Sequence, residues 1–292
     1  MNPQRPSRTA EGAALLRALH AYVDAPPILF SDGAVESLLS APSRLALRPL
    51  PLGLRMALRR RERRQPAGAA MRGQIVLRAR FAEDALDDAL RRGVEQVVIL
   101  AAGLDTTALR RGDVLRHARL FEVDHPATQA WKKRRVGARA EGVRYVPVDF
   151  GEDDLASALS DAGLDAERPM FVNWLGCTYY LPLPAIASTL ARLRTIAAPG
   201  SEIVLDHWSG GATNGLPSRL LLSGVRAAVA FQQEPMVGLL GPDELCELAE
   251  AAGWDVSEAL DAPAQRARWL GQRRDALRVP DFAHLARLVP AP

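Results

Sequence analysis

The stretch QVVILAAGLDTTALRR, Gln96 to Arg111, decides the fold of this chain. Its first five residues make a buried strand pattern, and a turn with Gly103 follows, then Asp105, then a helical pattern. Strand, glycine turn and helix in succession is how α/β proteins hold nucleotides. A dinucleotide loop uses G-x-G-x-x-G so that backbone can approach a pyrophosphate. Here those positions are Ala101, Gly103 and Thr106. One close approach remains, at Gly103, and it fits a nucleotide without a pyrophosphate, such as S-adenosylmethionine. A purely structural turn accounts for a lone glycine equally well.

Outward from this stretch, apolar strands alternate with helical segments. VVIL (97–100), LFEV (120–123), VRYVPV (143–148), MFVNWL (170–175) and EIVLD (202–206) read as strands. Helical patterns lie around 104–111, 126–140, 152–162 and 184–197, and GPDELCELAEAAGW (241–254) adds a capped helix. Two late strands are expected near 254–260 and 282–289. This alternation predicts an α/β fold, a mostly parallel seven-stranded sheet with right-handed crossovers and helices on both faces. Residues 1–75 differ in texture. Leu15, Leu16, Leu19, Tyr22 and Val23 recur at helical spacing, with Ser7 or Thr9 as N-cap, and five prolines between 26 and 51 then break the chain. We read 1–75 as a helical cap, 76–292 as the core and 209–240 as an insertion or lid near the site, all in one structural unit.

Composition bounds the rest. The chain has 292 residues, 48% apolar and 24% charged, enough for a sizeable core. A formal charge of +3, spread along the chain, gives no argument for nucleic acid. The run RMALRRRERR, Arg55 to Arg64, holds six arginines. It reads as a solvated helix face, or as a cap over a site for an acidic substrate; no aromatic residues interleave as a nucleic-acid groove would want. Two cysteines suit a reducing compartment. The polar N-terminus has no apolar signal core, and no apolar run nears the ~20 residues of a membrane helix. The expectation is a cytoplasmic protein, away from membranes. The five histidines show no pair at ligand spacing, so no metal site is expected.

Ligands of open α/β sheets lie beyond the carboxyl ends of the strands. Asp124 ends the second strand, 21 residues past Gly103, the spacing at which an acid accepts from ribose hydroxyls. Glu122 shares its side of the strand and is the alternative. Asp149 ends the third strand and is placed to accept from an adenine amino group, with Phe150 on the ring. Each acid alone also reads as a helix cap.

QVVILAAGLDTTALRR, LFEVDHPATQAWKKRRV (120–136), VPVDF (146–150) and NWLGCTYYL (173–181) together resemble the leucine carboxyl methyltransferase family, class I enzymes that use S-adenosylmethionine. RTAEGAALLRALH (8–20) and RARF (78–81) look like its N-terminal helices, so the resemblance covers nearly the whole chain. It implies the class I Rossmann-like methyltransferase fold, the cofactor S-adenosylmethionine, and roles for Gly103, Asp124, Asp149 and Phe150 in binding it. Arg80 looks like the arginine that reaches the cofactor carboxylate, with Arg78 as the alternative. Two positions depart. Ala101 replaces the first loop glycine, which requires that it keep φ negative. Leu175 stands where the eukaryotic enzymes carry a glutamate, though bacterial members often read WLG there.

The chemistry expected is O-methylation of a small molecule or natural-product intermediate, on a carboxyl or hydroxyl group, with the family favouring carboxyl. A carboxylate is ionised at pH 7 and needs no base; a hydroxyl gains from one. His207, in VLDHW at the end of the fifth strand, is the preferred base, against a simple packed histidine; Tyr179 and Tyr180 would orient the acceptor. Readings that compete are an NAD-dependent oxidoreductase, a cyclase that consumes the cofactor intramolecularly, and a non-enzymatic cofactor-binding protein. Oligomeric state is not legible.

Overall fold

The computed structural model describes residues 8–47, 53, 56–57, 60–62, 67–150, 153–210 and 215–292. The strands are β1 (Gln96–Leu100), β2 (Arg119–Asp124), β3 (Arg144–Pro147), β4 (Phe171–Trp174), β5 (Glu202–Trp208), β6 (Trp254–Leu260) and β7 (Ala283–Pro290). They form one sheet in the order β3-β2-β1-β4-β5-β7-β6. β1 to β5 pair in parallel, and β7 runs antiparallel between β5 and β6. The chain steps from β1 outward to β3 and then returns to β4 on the other side of β1. Strand order reverses there, which opens a crevice at the carboxyl ends of β1 and β4.

All five residues of β1 are buried. Side chains alternate across the sheet, so Val98 and Leu100 join one core with Phe121, Val123 and Trp174. Val97 and Ile99 join the other with Leu120 and Phe171. That second core is completed from the front of the chain. α1 (Arg8–Val23) contributes Ala14 and Ala18, and the 25-residue helix α3 (Ala67–Arg91) contributes Phe81, Ala82 and Ala85. A short helix, α2 (Ala41–Ala46), lies between them. The 75/76 boundary expected between cap and core falls inside α3, so one rigid element serves both.

A buried ion-pair network fastens α1 to α3. The Arg72 guanidinium donates in pairs to Asp24 (2.7 and 2.7 Å) and to Glu62 (2.8 and 2.8 Å), and His20 holds Asp24 at 2.7 Å. Arg60 and Arg61 of the arginine run are exposed. Arg55, Arg59, Arg63 and Arg64 lie outside the described residues, as does the N-cap candidate Ser7. Later helices are α4 (Thr107–Arg110), α5 (Gly112–His117), α6 (Pro126–Val136), α7 (Leu155–Asp161), α8 (Leu183–Thr195), α9 (Leu216–Phe231), α10 (Pro242–Ala251) and α11 (Ala262–Gln265). Among the described residues no helix is long and apolar enough to cross a membrane.

Candidate active site

The turn after β1 is built on two left-handed residues. Gly103 has φ of +44° and Ala101 has φ of +51°. The expectation of a negative φ at Ala101 is therefore wrong: the turn keeps its shape and the alanine carries the strain, worth roughly 1–2 kcal/mol. At Gly103 a Cβ would meet only ordinary contacts, at 3.6 Å from Ala10 Cβ and 3.7 Å from Ala101 O, so conformation and not space selects glycine. The Ala102 amide donates to Val123 O at 3.0 Å, which extends the β1–β2 pairing into the turn.

Asp124 ends β2 and reaches back to that turn. One carboxylate oxygen accepts from the Gly103 amide and the other from the His125 amide at 2.7 Å. Burial pushes its pKa up against the pull of these two donors. Each oxygen keeps lone pairs, since a carboxylate can accept about four bonds. Glu122 lies differently. Its carboxylate is buried against Lys132 Nζ at 2.7 Å and lines neither cavity described below. Burial raises its pKa, with Lys132 opposing. The strand parity shared with Asp124 does not bring Glu122 to the site, because Lys132 of α6 takes it first.

Two cavities meet at the turn. The larger, about 480 Å³, is lined by Asp124, His125, Asp149, Phe150, Cys177, Tyr179 and Tyr180 among others. The smaller, about 110 Å³, is lined by Leu175, Asn173, Asp105 and Thr106. Ala10, Ala13, Arg78, Ala101 and Gly103 border both. Helix α1 thus roofs the place where the two join.

Of the two candidate arginines, Arg78 is at this junction and Arg80 is not. Positions two apart on a helix point to different faces. Arg80 is 44% exposed, paired with Asp84 at 2.8 Å and bonded to Leu29 O at 3.3 Å. Arg78 Nη1 donates to Tyr179 Oη at 2.6 Å and to Asp206 Oδ2 at 3.2 Å. Its Nε and Nη2 edge has no partner among the described residues. Gly176 makes room for it: a Cβ there would lie 2.7 Å from Arg78 Nη2.

The end of β5 separates two neighbours of which the sequence reading singled out only His207. Asp206, fully buried, turns toward the site and accepts from Gly176 N at 2.6 Å, Gln74 Nε2 at 2.8 Å and Arg78. His207 turns to the other face and lines neither cavity. Its Nδ1 donates to Leu240 O at 2.7 Å, its ring stacks on His284 at 5.0 Å, and burial brings its pKa down to about 4. His207 is a packed histidine, and the expectation that it acts as base is corrected. His125, at the cavity, caps α6 by accepting from Ala127 N at 3.2 Å, which leaves its proton on Nε2. Tyr179 is buried beneath Arg78, with its pKa raised by burial. Tyr180 packs edge-on to it at 4.9 Å, and burial raises its pKa to about 12. Cys177 is likewise pushed up by burial, to about 12. Among the described residues no group of three potential ligands is placed to hold a metal ion.

Sequence reasoning missed Asp206 and Gln74, and also Thr9 and Glu234, whose side chains hydrogen-bond at the rim of the larger cavity. Parity along β5 was a usable signal for Asp206. Nothing local marks the other three.

Comparison with known proteins gives a consistent picture. The family described as leucine carboxyl methyltransferase matches residues 10–194. A Bacillus subtilis protein named for S-adenosyl-L-methionine-dependent methyltransferase activity, YktD, is 30% identical over 216 residues, 73% of this chain and 71% of its own. One of the same description from Streptomyces coelicolor is 34% identical over 228 residues, 74% and 76% of the two chains. Among solved structures, a methyltransferase from Thermobifida fusca superposes with a TM-score of 0.61 at 13% identity, over 99% of this chain and 96% of that one. A DUF574 family protein from Streptomyces avermitilis superposes with a TM-score of 0.58 at 16% identity, over 99% of both.

Proposed function

Because the chain belongs to the leucine carboxyl methyltransferase family, and is with it an S-adenosylmethionine-dependent methyltransferase, we propose that it methylates an oxygen of a small, largely apolar molecule such as a natural-product intermediate. The observation that carries this reading is the Asp124 carboxylate, tied to the Gly103 turn, at the mouth of a cavity where strand order reverses. About 480 Å³ is the size of a small-molecule site. On this reading the enzyme works in the cytoplasm without nucleic acid or membrane.

The residues present fit the cofactor. The turn at Ala101–Gly103 leaves a cradle open between two cavities, and the Arg78 edge borders both. When bound, the cofactor supplies a methyl group already activated on a sulfonium. Asp124 would hold the ribose hydroxyls with its spare lone pairs, and Asp149 with Phe150 would hold the adenine. Arg78, braced by Asp206, would hold the carboxylate of the amino-acid part, and Leu175 would pack beside it. Tyr179 and Tyr180 wall the acceptor side. With the methyl already activated, the protein's task is alignment and exclusion of water, and alignment can contribute about 7–11 kcal/mol. Calorimetric titration with S-adenosylmethionine, S-adenosylhomocysteine and NAD tests the cofactor assignment. The first two should bind and the third should not; NAD binding alone would sink the reading.

A further inference from the structure

Tyr179 is held more firmly than a cavity wall requires. Its ring packs on Trp208 at 4.4 Å and on Tyr180 at 4.9 Å between centroids. The backbone on which it stands is pinned as well. The Thr178 hydroxyl donates to Asp206 O at 2.7 Å, and the Gly238 amide donates to Tyr179 O at 3.2 Å. With the ring fixed, the phenol oxygen sits 2.6 Å from Arg78 Nη1.

The direction of that bond leaves something over. A guanidinium only donates, so the Tyr179 oxygen is the acceptor and its own proton is unspent. Burial raises the phenol well above its ordinary pKa, against the pull of Arg78, so the proton stays on. Among the described residues nothing accepts it. Tyr179 is 4% exposed, and a buried donor without a partner costs about 1–3 kcal/mol. Tyr179 borders the larger cavity, as does Arg78 with its unpartnered Nε and Nη2 edge.

Two unspent donors therefore meet at Arg78, one charged and one neutral. Both call for an acceptor, and a carboxylate offers room for about four bonds. Charge alone does not hold an anion here. Asp206, fully buried, already balances Arg78, and it accepts from Gly176 and Gln74 as well. A neutral donor strengthens the grip on a second carboxylate without burying another cation.

On the cofactor assignment above, on which this rests, we infer that the Tyr179 hydroxyl donates to the carboxylate of the cofactor's amino-acid part, so that phenol and guanidinium hold one anion together. The hydroxyl is then not available to orient the methyl acceptor, as the sequence reading expected. The ring walls the acceptor side, and the hydroxyl serves the cofactor.

Calorimetry on wild type and Tyr179→Phe tests this with two ligands, S-adenosylhomocysteine and its decarboxylated analogue. The substitution keeps the ring and removes the hydroxyl. S-adenosylhomocysteine should bind about tenfold more weakly to Tyr179→Phe, the loss expected of one charge-assisted hydrogen bond. The decarboxylated analogue lacks the partner group and should bind both proteins within about twofold, which also reports an intact site. In the wild-type complex with S-adenosylhomocysteine, a hydroxyl proton resonance should stand downfield of the amides. It should be missing from Tyr179→Phe and from the decarboxylated complex. Equal loss of both ligands makes the hydroxyl a support of the fold and overturns the inference. Unchanged affinity for S-adenosylhomocysteine, or a loss without that resonance, overturns it too. Failure of the wild type to bind S-adenosylhomocysteine at all would instead strike the cofactor assignment.

Discussion

Asp124 ties the end of one strand to the turn of its neighbour while keeping lone pairs for a ligand. Charge-assisted hydrogen bonds of this kind contribute about 1.5–3 kcal/mol each. Asp124→Ala should weaken S-adenosylhomocysteine binding at least tenfold by calorimetry, with circular dichroism unchanged. Ala101 makes the opposite prediction. It holds φ of +51° without being glycine, so Ala101→Gly should stabilise the fold by about 1 kcal/mol in urea titrations. His207 gives a pH signature. Burial lowers its folded pKa to about 4, against about 6.5 in an unfolded chain. The unfolded state then binds the proton first, so the stability it contributes is full above pH 6.5 and is lost as pH falls toward 4. The span corresponds to roughly 3 kcal/mol. His207→Gln should flatten stability against pH in that window, and should leave cofactor affinity unchanged.

Elements show why some of this was legible and some was not. The seven strands and the spacing from Gly103 to Asp124 follow from local pattern and chain order, and both could be read off the sequence. His207 was misjudged because VLDHW was read as a strand end without its parity; with period two, only one of Asp206 and His207 can face the site. Arg80 was preferred over Arg78 for the same reason on a helix, where facing depends on packing that a motif does not contain. The α3 helix carries Arg72 to the cap, Gln74 to Asp206 and Arg78 to the cavities, so it is the beam on which the site hangs. Removing the charge at its far anchor should be felt along it. Asp206→Asn leaves a buried guanidinium without its counter-ion, a change that costs about 3–5 kcal/mol. Thermal unfolding should show that loss, and the variant should also bind S-adenosylhomocysteine less well.

At the scale of the molecule, the site is closed by parts far apart in the chain. Thr9 and Glu234 are 225 residues apart, and no sequence pattern could have joined them. A ligand beneath α1 and beside residues 233–237 should tighten both. At 100 times its dissociation constant a ligand adds about 2.7 kcal/mol, a rise in Tm of about 5–10 °C for a chain of this size. Hydrogen exchange in α1 and in residues 233–237 should slow together on addition of S-adenosylhomocysteine. The same distance has a consequence for synthesis. The Ala25 amide just after α1 donates to Asp275 at 2.8 Å, and Arg273 grips the carbonyls of Ala25 and Pro27 at 2.6 Å each. A ribosome makes Ala25 250 residues before Asp275, at about 5–20 residues per second. For that interval the roof helix can pack on α3 through Ala14 and Ala18 but lacks its tie to the end of the fold. A chain truncated before Arg273 should therefore hold its roof less firmly and bind S-adenosylhomocysteine more weakly.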